Sequence, residues 1–91
     1  MENPLQAYID EILFEAIERG MAPPLVLDAA FANGTTIKVR YDQDGETLKP
    51  QLLAENVVDG GDDFPIAATL TDANAEIARF TIDRSGPTFI D

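Results

Sequence analysis

Apolar residues near the start of the chain recur at steps of three and four: Leu5, Tyr8, Ile9, Ile12, Leu13, Ala16 and Ile17. Such a stripe is the pattern of an amphipathic helix that buries one face. The flanking residues agree with it. Asn3 is a good N-cap, Pro4 suits the first helical position, and Gln6 completes an Asn-x-x-Gln capping box. Arg19 falls in the last turn, where a cation complements the helix dipole, and Gly20 can take the left-handed position that ends a helix. Pro23 and Pro24 block continuation. The spacing predicts a helix over 4–19.

Beyond the prolines the period drops to two. Leu25, Leu27, Ala29 and Phe31 alternate with Val26, Asp28 and Ala30, and Ile37, Val39 and Tyr41 alternate with Thr36, Lys38 and Arg40. These predict strands over about 25–32 and 35–42. A two-residue Asn-Gly turn between them would set Leu27 opposite Arg40, whereas a three-residue Ala32-Asn33-Gly34 loop sets Leu27 opposite Val39 and keeps one face apolar. The three-residue loop is therefore expected, with Gly34 left-handed. Keeping Tyr41 and Leu48 on one face calls for an even loop, such as an Asp44-Gly45 turn. The stretch 47–54 fits a strand that Pro50 confines to an edge or bulge, and Pro50 to Glu55 also fits a short helix. Asp59-Gly60-Gly61-Asp62-Asp63 is a loop. Strands over about 65–71 and 76–83 then form a closing hairpin, with Asp72-Ala73-Asn74 as its loop and Asn74 left-handed. After an Arg84-to-Pro87 turn, Thr88-Phe89-Ile90 can add a short edge strand. The two three-residue hairpins look alike locally, but their flanks do not match as a repeat. The predicted fold is a single α+β domain over 1–91, its N-terminal amphipathic helix packed on a small, mostly antiparallel sheet of four to six strands.

Composition narrows the function. The chain has 91 residues, enough for one modest core, with no cysteine, no histidine and a net charge of −11. Direct binding to nucleic acid or to an anionic membrane is disfavoured, because both demand positive charge. The sequence holds no apolar run of membrane-spanning length and no signal-peptide pattern, so a cytoplasmic location is expected. Catalysis lacks its usual parts. There is no thiol or imidazole, Ser85 is the only serine, Gly60-Gly61 is followed by aspartates that would repel a phosphate, and neither Lys38 nor Lys49 has an apolar setting. The expectation is a non-enzyme without cofactor or metal.

Calcium is the one chemical alternative with residues to name: Asp42, Asp44 and Glu46 around Gly45, and Asp59, Asp62 and Asp63 in the second loop. An EF-hand loop wants its glycine sixth and a glutamate twelfth, whereas Gly45 comes fourth from Asp42. Turn-making accounts for these residues more simply.

What is left is surface. Glu11, Glu15 and Glu18 share the helix face opposite the apolar stripe, with no lysine at helical spacing, and Asp59, Asp62 and Asp63 are expected to extend that anionic side. Lys38, Arg40 and Arg79 project to the opposite side of the sheet. Carboxylates on successive helical turns lie roughly 6 Å apart, comparable to phosphates along a strand. In size, acidity and lack of catalytic residues the chain resembles the small phage-borne inhibitors, anti-CRISPR and DNA-mimic proteins among them, a resemblance of composition. It implies a protein partner that is basic and handles nucleic acid, bound through Glu11, Glu15, Glu18, Asp59, Asp62 and Asp63. A homo-oligomeric subunit that associates through Phe14, an open sheet edge or the Thr88–Ile90 tail is the alternative.

Overall fold

The computed structural model describes residues Pro4–Ile90. They form one helix and six strands in the order α1 (Pro4–Glu18), β1 (Leu25–Phe31), β2 (Thr36–Asp44), β3 (Thr47–Asn56), β4 (Ile66–Thr71), β5 (Ile77–Asp83) and β6 (Gly86–Ile90). All neighbouring strands are antiparallel, in the sheet order β3-β2-β1-β4-β5-β6. Two three-stranded meanders therefore lie side by side, joined at β1 and β4, and the 57–65 segment crosses from the outer edge of one to the inner edge of the other. The fold is α+β, with the helix on one face of the sheet. Among the described residues, no helix is long and apolar enough to cross a membrane.

The alternation read in the strands sets the core. Leu25, Leu27, Ala29 and Phe31 of β1, Ile37, Val39 and Tyr41 of β2, Ile66, Ala68 and Leu70 of β4, and Phe80 and Ile82 of β5 are buried under α1. Leu5, Ile12, Leu13 and Ala16 meet them from the helix, and full burial of a Leu or Ile contributes about 1.5–3 kcal/mol. Ile17 departs from the predicted stripe and lies largely exposed, because it falls on the helix flank rather than over the sheet.

The helix ends one residue before the predicted boundary, so Arg19 stands just past it. Gly20 is left-handed at φ 89, Gly20 N–H donates to Ile17 O at 3.0 Å, and Met21 N–H donates to Ala16 O at 3.1 Å. This is a Schellman ending, sealed by the buried Met21 side chain. The expected Asn3 cap lies outside the described residues.

The β1–β2 loop has the predicted form: Leu27 faces Val39, and Gly34 is left-handed at φ 98. The β5–β6 turn is shorter than predicted, Arg84-Ser85 alone, because Gly86 and Pro87 pair with Asp83 and Ile82 as part of β6. Two other turns are displaced. Asp44 pairs with Thr47, so the β2–β3 turn is Gly45-Glu46 rather than Asp44-Gly45. Gly45 at φ 64 thus takes the first central position, where a two-residue hairpin needs positive φ, and the even loop length still leaves Tyr41 and Leu48 on one face. In the last hairpin the left-handed residue is Ala75 at φ 63, not Asn74, and the loop is Ala73-Asn74-Ala75. The cause is Asp72. Its carboxylate accepts Asn74 N–H at 2.9 Å and Glu76 N–H at 2.8 Å, which holds Asp72 opposite Glu76, just past the end of β4, rather than as the first loop residue.

The 47–56 stretch is a strand throughout, which settles it against the short helix. It lies at the sheet edge with Pro50 in it, and a bulge at Leu53 shifts the register between Lys38 and Val39. The opposite edge, β6, has five residues and includes Pro87. A proline on each edge removes a ladder donor, which hinders strand-to-strand association there.

Candidate functional site

The six predicted carboxylates fall into two separate groups. Glu11 and Glu18 are exposed on α1, while Glu15 accepts from Arg19 Nε at 3.3 Å, so a cation sits within the helical row. That arginine also stacks over Phe89, 4.5 Å from the ring centroid. The second group lies in the crossover at the far end of β1, packed against the β1–β2 loop. Asn33 Nδ2 donates to Asp63 Oδ1 and to Val58 O, each at 3.0 Å. Asp62 Oδ1 accepts Phe64 N–H at 3.0 Å and lies 3.7 Å from Arg84 Nη2, and Asp59 is exposed. Glu18, beside the α1–β1 connection, is at the other end of the sheet from these aspartates. No single acidic track runs through all six. Among the described residues, no three acidic side chains converge as a cation's ligands would, in either predicted loop or elsewhere.

Charge nevertheless divides by face. Lys38, Arg40, Lys49 and Arg79, four of the six basic residues, project from the sheet face that the helix leaves open. Lys38 lies 4.0 Å from Asp28, and Arg40 Nε is 3.0 Å from Asp42 Oδ1, so this face is close to balanced. It carries a shallow depression of about 490 Å³ floored by Ala30, Ala54 and Ala67. The helix side presents Asp10, Glu11, Glu15, Glu18, Glu46 and Glu55, with Arg19 as the cation on α1's own end.

The two flanks of α1 differ. Toward β6 it is closed: Tyr8 packs by Gly86 and Arg19 covers Phe89. Toward the β2–β3 ribbon it is open. Two contiguous depressions of about 680 and 500 Å³ run between the helix and the ribbon. The larger part of their lining is apolar, with Ile9, Leu13, Phe14 and Ile17 from α1 and Val39, Tyr41, Leu48, Pro50 and Leu52 from the ribbon, and Gln6, Gln43 and Thr47 add uncharged polar groups. Phe14 is 65% exposed, Leu52 54% and Ile17 45%, so three large apolar side chains stand in solvent along one groove. Its charged lining residues are Asp10, Glu46 and Glu55, and none is basic. Burial, and then the nearby Asp10 carboxylate, push the Tyr41 phenol in the floor up to about 12.

Phe14 was expected as a contact residue, but Ile17, Leu52 and the three groove carboxylates were not. A signal for them exists: Phe14 and Ile17 stand three apart on a second helix line, and adjacent Leu52-Leu53 cannot both face the core of a strand. Among the described residues Asp72 is the one buried acid, and its role is structural. Its Oδ2 accepts Ala22 N–H at 3.0 Å, which ties the α1–β1 connection to the sheet. Compared with known proteins, the chain matches no family model, no curated protein and no solved structure.

Proposed function

We propose that this chain is a non-enzymatic binding domain that occupies the basic surface of a partner protein, of the kind that handles nucleic acid. The observation that carries this reading is the segregation of charge between the two faces. In a chain of net charge −11, four of the six cations are gathered on the open sheet face, and the helix side carries six carboxylates around the ion-paired Arg19. Such a field speeds encounter with a basic surface and repels nucleic acid itself. A domain of this kind acts by occlusion, covering a surface that would otherwise meet phosphate. Inhibition, of the sort the anti-CRISPR and DNA-mimic proteins exert, follows without any catalytic group. Because the acids form two groups and three of them are already engaged, contact by the helix side suits the geometry better than imitation of a continuous phosphate backbone.

The test is capture on the immobilised chain at low salt from a lysate of its source or host, followed by a salt step. Basic nucleic-acid-binding proteins should elute with salt, and a Glu11→Lys/Glu18→Lys variant should retain several-fold less. Retention indifferent to both salt and charge reversal would overturn the proposal. Recovery of only the chain's own copies would move the assignment to the self-associating subunit, which exposed Phe14 favours.

A further inference from the structure

The groove beside α1 has features that the rest of the acidic surface lacks. It is long, largely apolar, lined by solvent-exposed Phe14, Ile17 and Leu52, and its charged lining residues are all carboxylates. We infer that this groove is the docking site of an amphipathic, basic α-helix belonging to the partner protein. The inference deepens the proposed partner-binding function and rests on it.

Three observations select that occupant. The first is charge complementarity: Asp10, Glu46 and Glu55 border the groove with no cation, so an apolar stripe flanked by lysine or arginine is matched on both counts. The second concerns backbone. An extended segment laid on an apolar floor needs a strand edge to take its amide and carbonyl groups, and the adjoining edge, β3, is interrupted by Pro50 and by the bulge at Leu53. A helix satisfies its own backbone and needs only side-chain contacts. The third is length. The groove runs beside α1 from Gln6 to Ile17, roughly 16 Å at helical rise, which accommodates about three turns of a second helix.

A second copy of the chain fits poorly. Its one helix carries Asp10, Glu11, Glu15 and Glu18, which would be brought against Glu46 and Glu55. Four of its six cations sit on the open sheet face, with Lys38 and Arg40 beside aspartates of their own, and Arg19 and Arg84 are paired with Glu15 and Asp62.

The test uses the full-length chain, isotope-labelled for amide NMR, and two synthetic helical peptides of about three turns. One has leucines at i, i+3, i+4 and i+7 flanked by lysines; the other has the same composition scrambled. The patterned peptide should shift amides of Ile9, Leu13, Phe14, Leu48 and Leu52. A Phe14→Ser/Leu52→Ser variant, altered only at exposed positions, should bind it at least about tenfold more weakly, the scale of losing a central apolar anchor. Glu46→Gln/Glu55→Gln should weaken binding and flatten its salt dependence. Equal binding of the scrambled peptide, or shifts confined to the Asp59–Asp63 loop or the open sheet face, would overturn the groove while leaving a salt-sensitive basic partner in place. Failure of both peptides, and of polylysine, to bind at low salt would overturn the groove and the partner-binding function together. Groove amides that shift with the chain's own concentration would assign the site to a second copy instead.

Discussion

The β1–β2 and β4–β5 loops have the same backbone and different chemistry. In the first, Phe31 N–H donates to Thr35 O at 2.8 Å and Gly34 N–H to Phe31 O at 3.0 Å. In the second, Asp72 N–H donates to Glu76 O at 3.0 Å and Ala75 N–H to Asp72 O at 3.1 Å. Both are three-residue loops with a left-handed third residue, yet one uses glycine there and the other alanine. The difference lies at the residue before the loop. Phe31 has no side-chain acceptor and the first loop is capped only once, at Thr35 N–H by Asn33 Oδ1 at 2.9 Å, so its conformation leans on Gly34, whereas Asp72 caps two of its loop's amides. Each loop also fastens a neighbour. Asn33 and Thr35 hold the crossover at Val58 and Asp63, while Asp72 and Ala73 hold Ala22, at the end of the groove beside α1. A hairpin tip in this protein is a clamp, and its side chain decides which backbone residues are tolerated.

Asp72 should give the largest effect. Removing its carboxylate in Asp72→Ala strips partners from the amides of Ala22, Asn74 and Glu76 at once, and the fall in melting temperature should exceed that of any substitution at the loop tips. The pH dependence identifies the mechanism. The Ala22 amide above all, then those of Glu76 and Asn74, hold the carboxyl below its ordinary value of 3.8 against the opposing pull of burial. A group with a lowered folded-state pKa adds stability that is fully present above the ordinary value and lost as pH falls through the folded one. Thermal melts of the native chain and Asp72→Asn should therefore differ most near neutrality and draw together well below pH 3.8. A constant gap across that range would mean that packing, not the charged acceptor, is what Asp72 supplies.

The same residue marks where sequence reasoning succeeds and where it stops. Strict alternation from Leu25 to Phe31 and from Ile37 to Tyr41 leaves one register that keeps both apolar sets inside, so β1, β2 and the Gly34 loop were legible. In Asp72-Ala73-Asn74 the local rules point the other way. Aspartate reads as a turn residue and asparagine as the left-handed one, but Asp72 stays buried just past the end of β4 because Ala22, 50 residues earlier, brings it a donor. The groove was hidden for a geometric reason. Periodicity identifies apolar positions, not how far a layer extends, and six strands at about 4.8 Å spacing make a sheet wider than one helix of about 10 Å can cover. Phe14, Leu48 and Leu52 lie in the uncovered remainder. Acid content was plain from composition, but the separation of Glu18 from Asp59, Asp62 and Asp63 depends on the crossover passing over the far end of β1.

Gly34→Ala should come next in size. A Cβ there would meet only Val58 Cγ2 at 3.6 Å, an ordinary contact, so the cost is conformational. At φ 98 the residue lies beyond the usual left-handed basin, and an L side chain is strained by about 1–2 kcal/mol. Chemical denaturation should show a loss of that order. Amide exchange should also quicken at Val58, whose N–H donates to Thr35 Oγ1 at 2.9 Å. An unchanged midpoint would mean the first loop has a second source of rigidity, as the other has in Asp72.

Ala75→Gly is the smallest effect and the sharpest test of the comparison. At φ 63 alanine sits within the left-handed basin, and glycine relieves its Cβ penalty. Glycine also adds entropy to the unfolded chain, which costs about 0.4–1 kcal/mol, so the two changes largely cancel. A net gain of about 0.5 kcal/mol is expected in native Asp72 protein. If Asp72 is what holds Ala75 left-handed, the gain should grow in the Asp72→Ala background, where glycine has to replace a lost constraint. A double-mutant cycle of denaturation midpoints measures this directly. Strict additivity would show that the Asp72 caps and the left-handed alanine are independent, and the shared backbone of the two loops would then need a cause outside their own residues.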